Sequence, residues 1–199
     1  MVNKKLEFKK LAKSTWKDFE TLFGERGACG GCWCMWWRLK KSEFEQQKGS
    51  GNKNAMRNLV DKKTIIGLIA YIGKEPVGWC SVAPREDFVR FETSKILKPV
   101  DDKPVWSIVC FFVDKKYRKQ GLSVEIIKGS VEYCKKLSEK KSASAKEKAK
   151  IVEGYPVVPY KDDMPGAFAW TGFPNAFIKA GFKEVARRSK TRPIMRYYL

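Results

Sequence analysis

Basic residues and a glycine lie between a strongly apolar segment and an amphipathic one, at residues 114–121. Arg118 and Lys119 supply positive charge, and Gly121 stands where the amphipathic segment begins. Backbone N–H groups in the first turn of a helix have no partner within the helix, and the helix dipole adds a positive end. Glycine lets a backbone approach a phosphate because it has no Cβ. The spacing predicts an anion site, with an ordinary strand-to-helix turn as the alternative.

The sequence contains no histidine. This excludes a nucleophile that is activated by histidine, and it excludes metal sites with histidine ligands. Any proton transfer must therefore fall to a carboxylate, Tyr, Cys, Lys, a chain terminus or water.

The most unusual segment is residues 27–38, which contains Cys29, Cys32 and Cys34 together with Trp33, Trp36 and Trp37. Cys-x-x-Cys spacing is typical of zinc sites, but structural zinc usually has four ligands, and Cys80 would have to come from elsewhere. A redox pair lacks its usual strand-then-helix setting. We therefore expect no metal. The tryptophans either fill a core or form an aromatic wall that holds a cationic amine.

A strand and a helix must position the anion site. Residues 105–113 predict a strand that is buried on both faces, and residues 120–137 have apolar side chains at helical spacing. Residues 42–53 predict a polar segment with a flexible break at its glycines, and residues 138–150 an exposed insertion. Further strands are predicted at residues 2–10, 64–72, 76–82, 151–158, 182–188 and 193–198, and further helices at residues 14–23, 54–61 and 174–180. This order indicates an α/β or α+β fold with a mixed sheet.

Length and composition bound the class of protein. The 199 residues, 43% of them hydrophobic, suit a single domain over residues 1–199. We find no apolar run long enough to cross a bilayer and no secretory signal, and we expect a cytoplasmic protein without membrane contact. Cys80, Cys110 and Cys134 fit this expectation as reduced core thiols.

The formal net charge is +19. Nucleic acid, a phosphate-rich cofactor and a solvated lysine-rich surface would each account for it, and we favour the solvated surface over a nucleic-acid partner.

Residues 113–123 resemble the coenzyme A motif of GNAT-superfamily N-acetyltransferases. In that motif a strand-end valine is followed by Arg/Gln-x-x-Gly-x-Gly/Ala at the start of a helix. Arg118, Gly121 and Ser123 fall on the three motif positions, with serine in place of Gly or Ala. The turn at residues 73–78 and the Gly-Phe at residues 181–182 are also similar to the family, so the resemblance covers residues 64–198.

The resemblance implies a mixed, mostly antiparallel sheet, flanked by helices and splayed between two parallel strands, here residues 105–113 and 151–158. It implies direct transfer of acetyl from acetyl-CoA, as co-substrate, to the amine of a small molecule or peptide. The cofactor-binding residues it implies are Phe111, Phe112 and Val113 for the pantetheine arm, and Arg118, Lys119, Gln120, Gly121, Leu122 and Ser123 for the pyrophosphate.

The catalytic residues are less directly implied. The family often has a tyrosine where this chain has Phe177, so either another group protonates the thiolate or the thiolate leaves unassisted. We predict Tyr155 as the substitute acid and Glu153 as the base, directly or through water. The alternative is a packed aromatic at Tyr155 and a surface carboxylate at Glu153. Trp33, Trp36, Trp37 and Trp170, with the loop at residues 164–168, would line the acceptor groove. Two other functions stay open: a CoA-binding module without transfer activity, and a basic nucleic-acid-binding protein. The last strand pair is compatible with a homodimer.

Overall fold

The computed structural model describes residues 6–159 and 169–199. In this part of the chain the helices are α1 (Trp16–Phe23), α2 (Lys41–Gln46), α3 (Ser50–Asp61), α4 (Leu122–Ser138) and α5 (Pro174–Lys179). The strands are β1 (Leu6–Lys10), β2 (Gly67–Ile72), β3 (Glu75–Pro84), β4 (Trp106–Val113), β5 (Ile151–Gly154), β6 (Lys183–Arg187) and β7 (Pro193–Tyr198). No helix in the described ranges combines the length and the apolar character needed to span a membrane.

The strands form a single sheet in the order β1-β2-β3-β4-β5-β7-β6. Neighbouring strands are antiparallel except for β4 and β5, which are parallel. The predicted fold class, a mixed and mostly antiparallel sheet flanked by helices, is therefore confirmed.

The parallel strands separate after a short contact. They pair only from Trp106 opposite Val152 to Ile108 opposite Gly154, while β4 continues to Val113. The strand predicted at residues 151–158 is therefore too long, since β5 ends at Gly154. Pro156 follows and has no N–H to donate to a ladder. Beyond it, the Val157 amide donates to the Gly172 carbonyl at 2.9 Å instead of to β4.

A β-bulge lies in β4 at the point of separation. Ser81 of β3 pairs with Cys110 and the next residue of β3 pairs with Ile108, which leaves Val109 without an opposite residue. The Trp37 indole N–H donates to the Val109 carbonyl at 3.0 Å. This hydrogen bond fixes the segment that follows the cysteines onto β4, because a carbonyl at a bulge has lost its ladder partner.

One face of the sheet is covered by α4 and α5. Ile127, Val131 and Cys134 of α4 are buried against the sheet, as their helical spacing predicted, whereas Val124 of the same predicted set is only partly buried. Ile126 is buried beside them. A Cβ added to Gly78 of β3 would come within 2.7 Å of the Ile126 side chain, so the glycine permits this close approach. Full burial of an isoleucine stabilises the fold by about 1.5–3 kcal/mol.

The other face is covered by α1, α3 and the cysteine–tryptophan segment, with Phe19, Met56 and Trp79 fully buried among them. Two predictions are wrong here. Helix α2 was not expected, and α3 begins at Ser50, earlier than expected, so that Gly51 lies inside it. The flexible break at the glycines is replaced by a backbone contact, since the Gly49 amide donates to the Gly31 carbonyl at 3.0 Å.

The remaining helices and strands lie where they were predicted, with bounds that differ by up to three residues in the described part of the chain. Residues 139–150 contain no helix or strand and are mostly exposed. The first strand is described from Leu6, so residues 2–5 of the prediction lie outside the described residues, as do residues 164–168 of the predicted acceptor loop.

Candidate active site

The turn between β4 and α4 presents unpaired backbone amides. Lys119 and Gly121 have positive φ, 60° and 81°, and Gly121 is the N-terminal cap residue of α4 without a side-chain capping bond. In the described part of the chain, no protein group accepts from five successive amides, those of Lys119, Gln120, Gly121, Leu122 and Ser123. A Cβ on Gly121 would meet no protein atom within 4 Å. The turn is thus an open cradle of donors at a helix N-terminus, which suits a phosphate.

Side chains of the same turn are held back from this cradle. The Arg118 Nε donates to the Val113 carbonyl at 2.9 Å, and its guanidinium lies 5.8 Å from the centre of the Phe112 ring. The Gln120 amide group donates to the Lys116 carbonyl at 2.9 Å. The Asp114 carboxylate accepts from the Lys116 amide at 2.8 Å. Arg118 therefore keeps the two terminal nitrogens of its guanidinium for an anion, because only Nε is used.

An aromatic cavity of about 350 Å³ lies between β4 and the cysteine–tryptophan segment. The ring centres of Trp36 and Trp170 are 6.2 Å apart, and those of Trp37 and Trp170 are 5.8 Å apart. Most of the other lining residues are apolar or cysteines, and they include Phe44, Cys34, Cys110, Phe111 and Phe112. The structure thus brings the predicted acceptor residues Trp36, Trp37 and Trp170 together with the predicted cofactor residues Phe111 and Phe112.

Trp33, the fourth predicted acceptor residue, does not line this cavity. It is 4% exposed and packs on the Phe23 ring at 5.8 Å. A Cβ on Gly27 would come within 2.3 Å of the Trp33 indole nitrogen. Trp33 therefore belongs to the core beneath α1.

Charged groups at the cavity were missed by sequence reasoning. The Arg90 guanidinium lies 3.7 Å from the centre of the Trp36 ring, and Arg90 Nε donates to the Leu39 carbonyl at 3.1 Å. Glu45 and Lys48 line the cavity and form an ion pair with each other. Arg90 thus already provides a cation over the Trp36 ring. No local signal in the sequence connects Arg90 to Trp36, since the two are far apart along the chain.

Tyr155 and Glu153 meet in a buried polar network next to the point where β4 and β5 separate. The two residues are 0% and 1% exposed. The Tyr155 hydroxyl donates to the Glu153 carboxylate at 2.6 Å and lies 2.8 Å from the Ser107 hydroxyl. Arg85 donates to the Tyr155 oxygen at 2.9 Å, and Arg196 Nε donates to Glu153 at 2.8 Å. The alternative of a surface carboxylate is therefore wrong for Glu153.

The electrostatics of this network favour a neutral tyrosine. Burial, and then the negative charge of Glu153, raise the pKa of Tyr155 well above its usual value, against the opposing charge of Arg85. On the solvent side of this network, the Arg196 Nη1 atom lies 2.6 Å from the Asp101 carboxylate. The hydrogen bond from Arg196 lowers the pKa of Asp101 to about 2. Sequence reasoning missed Arg85, Ser107, Arg196 and Asp101, which come from distant segments.

Phe177 occupies the position at which the family often has a tyrosine. Its ring is fully buried and lies 5.9 Å from the Phe111 ring. A Cβ on Gly154 would come within 2.0 Å of it, so the ring packs directly on the end of β5. It supplies packing where the parallel strands part, and it has no group that transfers a proton.

The cysteines are unpaired. All six are free thiols. Within the described residues, no group of three or more His, Cys, Asp or Glu side chains is arranged to hold a metal ion. Cys29, Cys32 and Cys34 lie along the aromatic cavity instead.

A comparison with family models identifies the protein family. A family model for the acetyltransferase (GNAT) family matches residues 33–149, which is more than half of the chain, and the chain belongs to that family. It is accordingly a GNAT-family acetyltransferase, and the predicted family and enzyme class are confirmed.

Solved structures share the fold. The chain is similar to a GNAT-family acetyltransferase from Streptococcus agalactiae, at 10% identity with a TM-score of 0.54, over 98% of this chain and 95% of the other. It is also similar to a chain of the NatC complex bound to Gag peptide and CoA, at 10% identity with a TM-score of 0.52, over 98% and 99% of the two chains. No curated protein matches the sequence.

Proposed function

We propose that the open amides of residues 119–123 hold the pyrophosphate of acetyl-CoA. The observation that carries this proposal is the run of unpaired amides around Gly121, where the space that a Cβ would fill is empty. The dipole of the long helix α4 adds a positive potential at the same point. Arg118 would add a charge-assisted contact, because Val113 and Phe112 hold its guanidinium beside the cradle.

The pantetheine arm would lie along β4 from Val113 towards Phe111, in the gap that β5 leaves. Acetyl-CoA supplies a thioester carbonyl that an amine can attack. The chain's part is to hold that carbonyl against backbone donors of β4 and to keep the two reactants in line. Phe177 keeps water out of the floor of the gap because it packs on Gly154 and near Phe111.

We propose that the aromatic cavity receives the amine, either from a small molecule or from a peptide. Trp36, Trp37 and Trp170 provide flat apolar walls next to Phe111 and Phe112. Glu45 is an acidic group at the same lining, and an ammonium would have to replace Lys48 as its ion-pair partner. Trp33 supports the wall only through the core, so we assign it no contact with the acceptor.

Proton transfer by Tyr155 and Glu153 stays a proposal. The hydrogen bond from the Tyr155 hydroxyl to Glu153 places a proton donor beside a carboxylate in the gap. The raised pKa of Tyr155 opposes transfer of its proton to a thiolate, because an ordinary thiol has a pKa of only about 8.5. Neither residue lines the aromatic cavity, so the proton would have to travel through the β4–β5 gap.

We further propose that residues 1–199 act as one GNAT domain in the cytoplasm. One sheet joins strands from both ends of the chain, and six free thiols suit a reducing compartment. A homodimer would use β6, which forms an edge of the sheet. The charged Lys183, Glu184 and Arg187 on this edge are typical of strands that resist further pairing, which argues against a dimer formed by strand addition there.

The test is binding followed by turnover. Calorimetry of the purified chain with CoA should give one site per chain, and acetyl transfer from acetyl-CoA should be detected by mass spectrometry on a panel of aromatic, aliphatic and peptide amines. Absence of CoA binding would refute the assignment of the cradle. CoA binding without transfer to any amine would instead refute the assignment of the cavity.

A further inference from the structure

The lining of the aromatic cavity carries almost no charge. Within the described part of the chain, Glu45 and Lys48 are its only charged side chains, and the other lining residues are apolar side chains, free thiols and a glycine. Thiols pack as small hydrophobic groups. Glu45 and Lys48 form an ion pair with each other, so a cationic ligand would have to compete with Lys48 for the single carboxylate. The lining therefore suits a ligand with an uncharged body.

A cation of the chain itself lies against one of the lining rings. The Arg90 guanidinium is 3.7 Å from the centre of the Trp36 ring and 5.7 Å from the centre of the Phe44 ring. Arg90 Nε donates to the Leu39 carbonyl at 3.1 Å, and this hydrogen bond holds the guanidinium in place. Arg90 does not itself line the cavity, so it lies behind Trp36 as seen from the cavity.

No described carboxylate compensates the charge of Arg90. None of the ion pairs among the described residues includes it, and its Nη2 atom is buried there without a hydrogen-bond partner. Lys48 Nζ adds a second positive charge, 6.0 Å from the centre of the Phe44 ring. An ammonium on the free face of Trp36 would lie about 7 Å from the guanidinium, and like charges at that separation repel strongly where water is excluded. This repulsion offsets the attraction of the ring for a further cation.

We propose that the acceptor is a small amine with one amino group on an aromatic or aliphatic body, and that Arg90 and Lys48 exclude acceptors with a second ammonium. This inference rests on the proposed function and narrows its acceptor to one chemical class. The cavity volume of about 350 Å³ is near the lower end of the range for small-molecule sites, about 300–1,000 Å³. The body would pack on Trp37 and Trp170, with the amino group towards Phe111.

The same surroundings favour the neutral form of a bound amine. An apolar lining and a nearby positive charge both disfavour an ammonium, so each lowers the pKa of the bound amino group. The neutral nitrogen is the nucleophile. It attacks the thioester carbon, the carbon–sulfur bond breaks, and the nitrogen loses one proton while the sulfur of CoA gains one. The amine therefore arrives without the extra proton that a general base would otherwise have to remove first.

The experiment compares para-ethylphenethylamine with para-(aminomethyl)phenethylamine, which have the same number of non-hydrogen atoms and differ by one ammonium. With acetyl-CoA, the kcat/KM for the monoamine should be at least about tenfold above that for the diamine. Arg90→Gln should lower this ratio at least about threefold, whereas Arg90→Lys, which keeps the charge, should retain it. Arg57→Gln is the matched control, because Arg57 lies 4.9 Å from the centre of the Trp16 ring, which does not line the cavity.

A binding measurement gives a result that does not depend on turnover. Calorimetry of the monoamine with the purified chain, with and without CoA, uses two buffers of different ionisation enthalpy. We expect release of about one proton per amine bound, because the free amine is an ammonium at neutral pH. The diamine should bind at least about tenfold more weakly. Circular dichroism and the melting temperature of each variant show that it is folded, and a ratio between two substrates does not depend on the folded fraction.

Any of four outcomes would overturn the proposal. The diamine binds or reacts as well as the monoamine, the monoamine binds without release of a proton, Arg90→Gln keeps the ratio of the parent protein, or neither the free nor the CoA-loaded chain binds the monoamine. Failure of CoA to bind would refute only the proposed cradle, because the affinity for the amines is also measured without CoA. The two failures are therefore distinguishable.

Discussion

The Phe111 amide donates to the Trp170 carbonyl at 2.6 Å, just beyond the point where β5 leaves β4. This hydrogen bond joins the strand assigned to the pantetheine arm to the tryptophan assigned to the acceptor wall. Since the amide is already paired, an arm that reaches Phe111 must replace the Trp170 carbonyl or stop at Phe112 and Val113. The cofactor and acceptor sites are thus coupled through the main chain of Trp170.

Replacement of Trp170 by alanine tests the acceptor wall while retaining that carbonyl. Loss of the ring removes its contacts with Trp36 and Trp37, and loss of a buried aromatic contact of about 1.5 kcal/mol corresponds to roughly tenfold in affinity. We expect the KM for the amine to rise by about this factor, with a change of less than about twofold for acetyl-CoA. Steady-state kinetics measure both. Phe173→Ala is the matched control, since Phe173 is close in sequence and 37% exposed.

Gly121→Ala tests the amide cradle. Gly121 and Gly73 both have positive φ, 81° and 60°, and a Cβ on either would meet no protein atom within 4 Å. Both alanine variants should therefore lose about 1–2 kcal/mol of stability from backbone strain. Only Gly121→Ala should also weaken CoA binding, by about tenfold or more, since the methyl group enters the phosphate space. Equal CoA affinity in the two variants, by calorimetry, would contradict the cradle.

Arg118→Ala tests whether the guanidinium meets a phosphate. A charge-assisted hydrogen bond contributes about 1.5–3 kcal/mol, so CoA affinity should fall at least about tenfold. Affinity for pantetheine, which lacks the pyrophosphate, should not change. Lys115→Ala removes an exposed charge from the same turn and serves as the control for general electrostatics. A parallel loss for pantetheine would mean that Arg118 acts by packing on Phe112.

Tyr155→Phe distinguishes a catalytic role of the Tyr155 hydroxyl from a purely structural one. The hydroxyl bonds Glu153, Ser107 and Arg85, so its removal leaves buried groups unpaired and should cost about 1–3 kcal/mol of unfolding free energy. If Tyr155 also protonates the leaving thiolate, kcat falls while the KM for acetyl-CoA stays the same. Tyr133→Phe is the control, because Tyr133 packs against the core and no described residue forms a hydrogen bond with its hydroxyl. A destabilised variant with the kcat of the parent protein would assign Tyr155 a structural role only.

The ion pair between Asp101 and Arg196 should make the free energy of unfolding depend on pH in acid. Arg196 lowers its folded pKa to about 2, below the ordinary value of about 3.9. A carboxyl group whose pKa is lower in the folded protein than in the unfolded chain stabilises the fold at pH values above the unfolded pKa. This stabilisation is lost as the pH falls from about 4 towards 2. Because the carboxylate is 36% exposed, solvent screening keeps the effect below about 1 kcal/mol. Urea unfolding at several pH values should show the same slope in the parent protein and in Asp102→Asn, and a smaller slope in Asp101→Asn, because Glu20, Glu147 and Glu184 also have lowered pKa values.

Several elements follow from local patterns. Apolar spacing located α4, and the apolar run at residues 105–113 located β4, because burial of one face or both faces leaves a periodic signature in the sequence. Helix α2 has no such periodic signature, since Phe44 is its only buried residue. The early start of α3 was also missed, because Gly51 looks like a break but here lies within a helix whose preceding residue, Gly49, contacts Gly31.

The sequence by itself located the turn between β4 and α4, for which it predicts an anion site, and it identified the family. Free amides at a helix start, basic neighbours and a glycine are local properties, and residues 114–123 are continuous in the chain. The tertiary structure alone decided which tryptophans share a cavity and that Glu153 is buried between Tyr155 and Arg196. Those contacts join segments tens of residues apart, and no local periodicity records which distant side chains a folded sheet brings together.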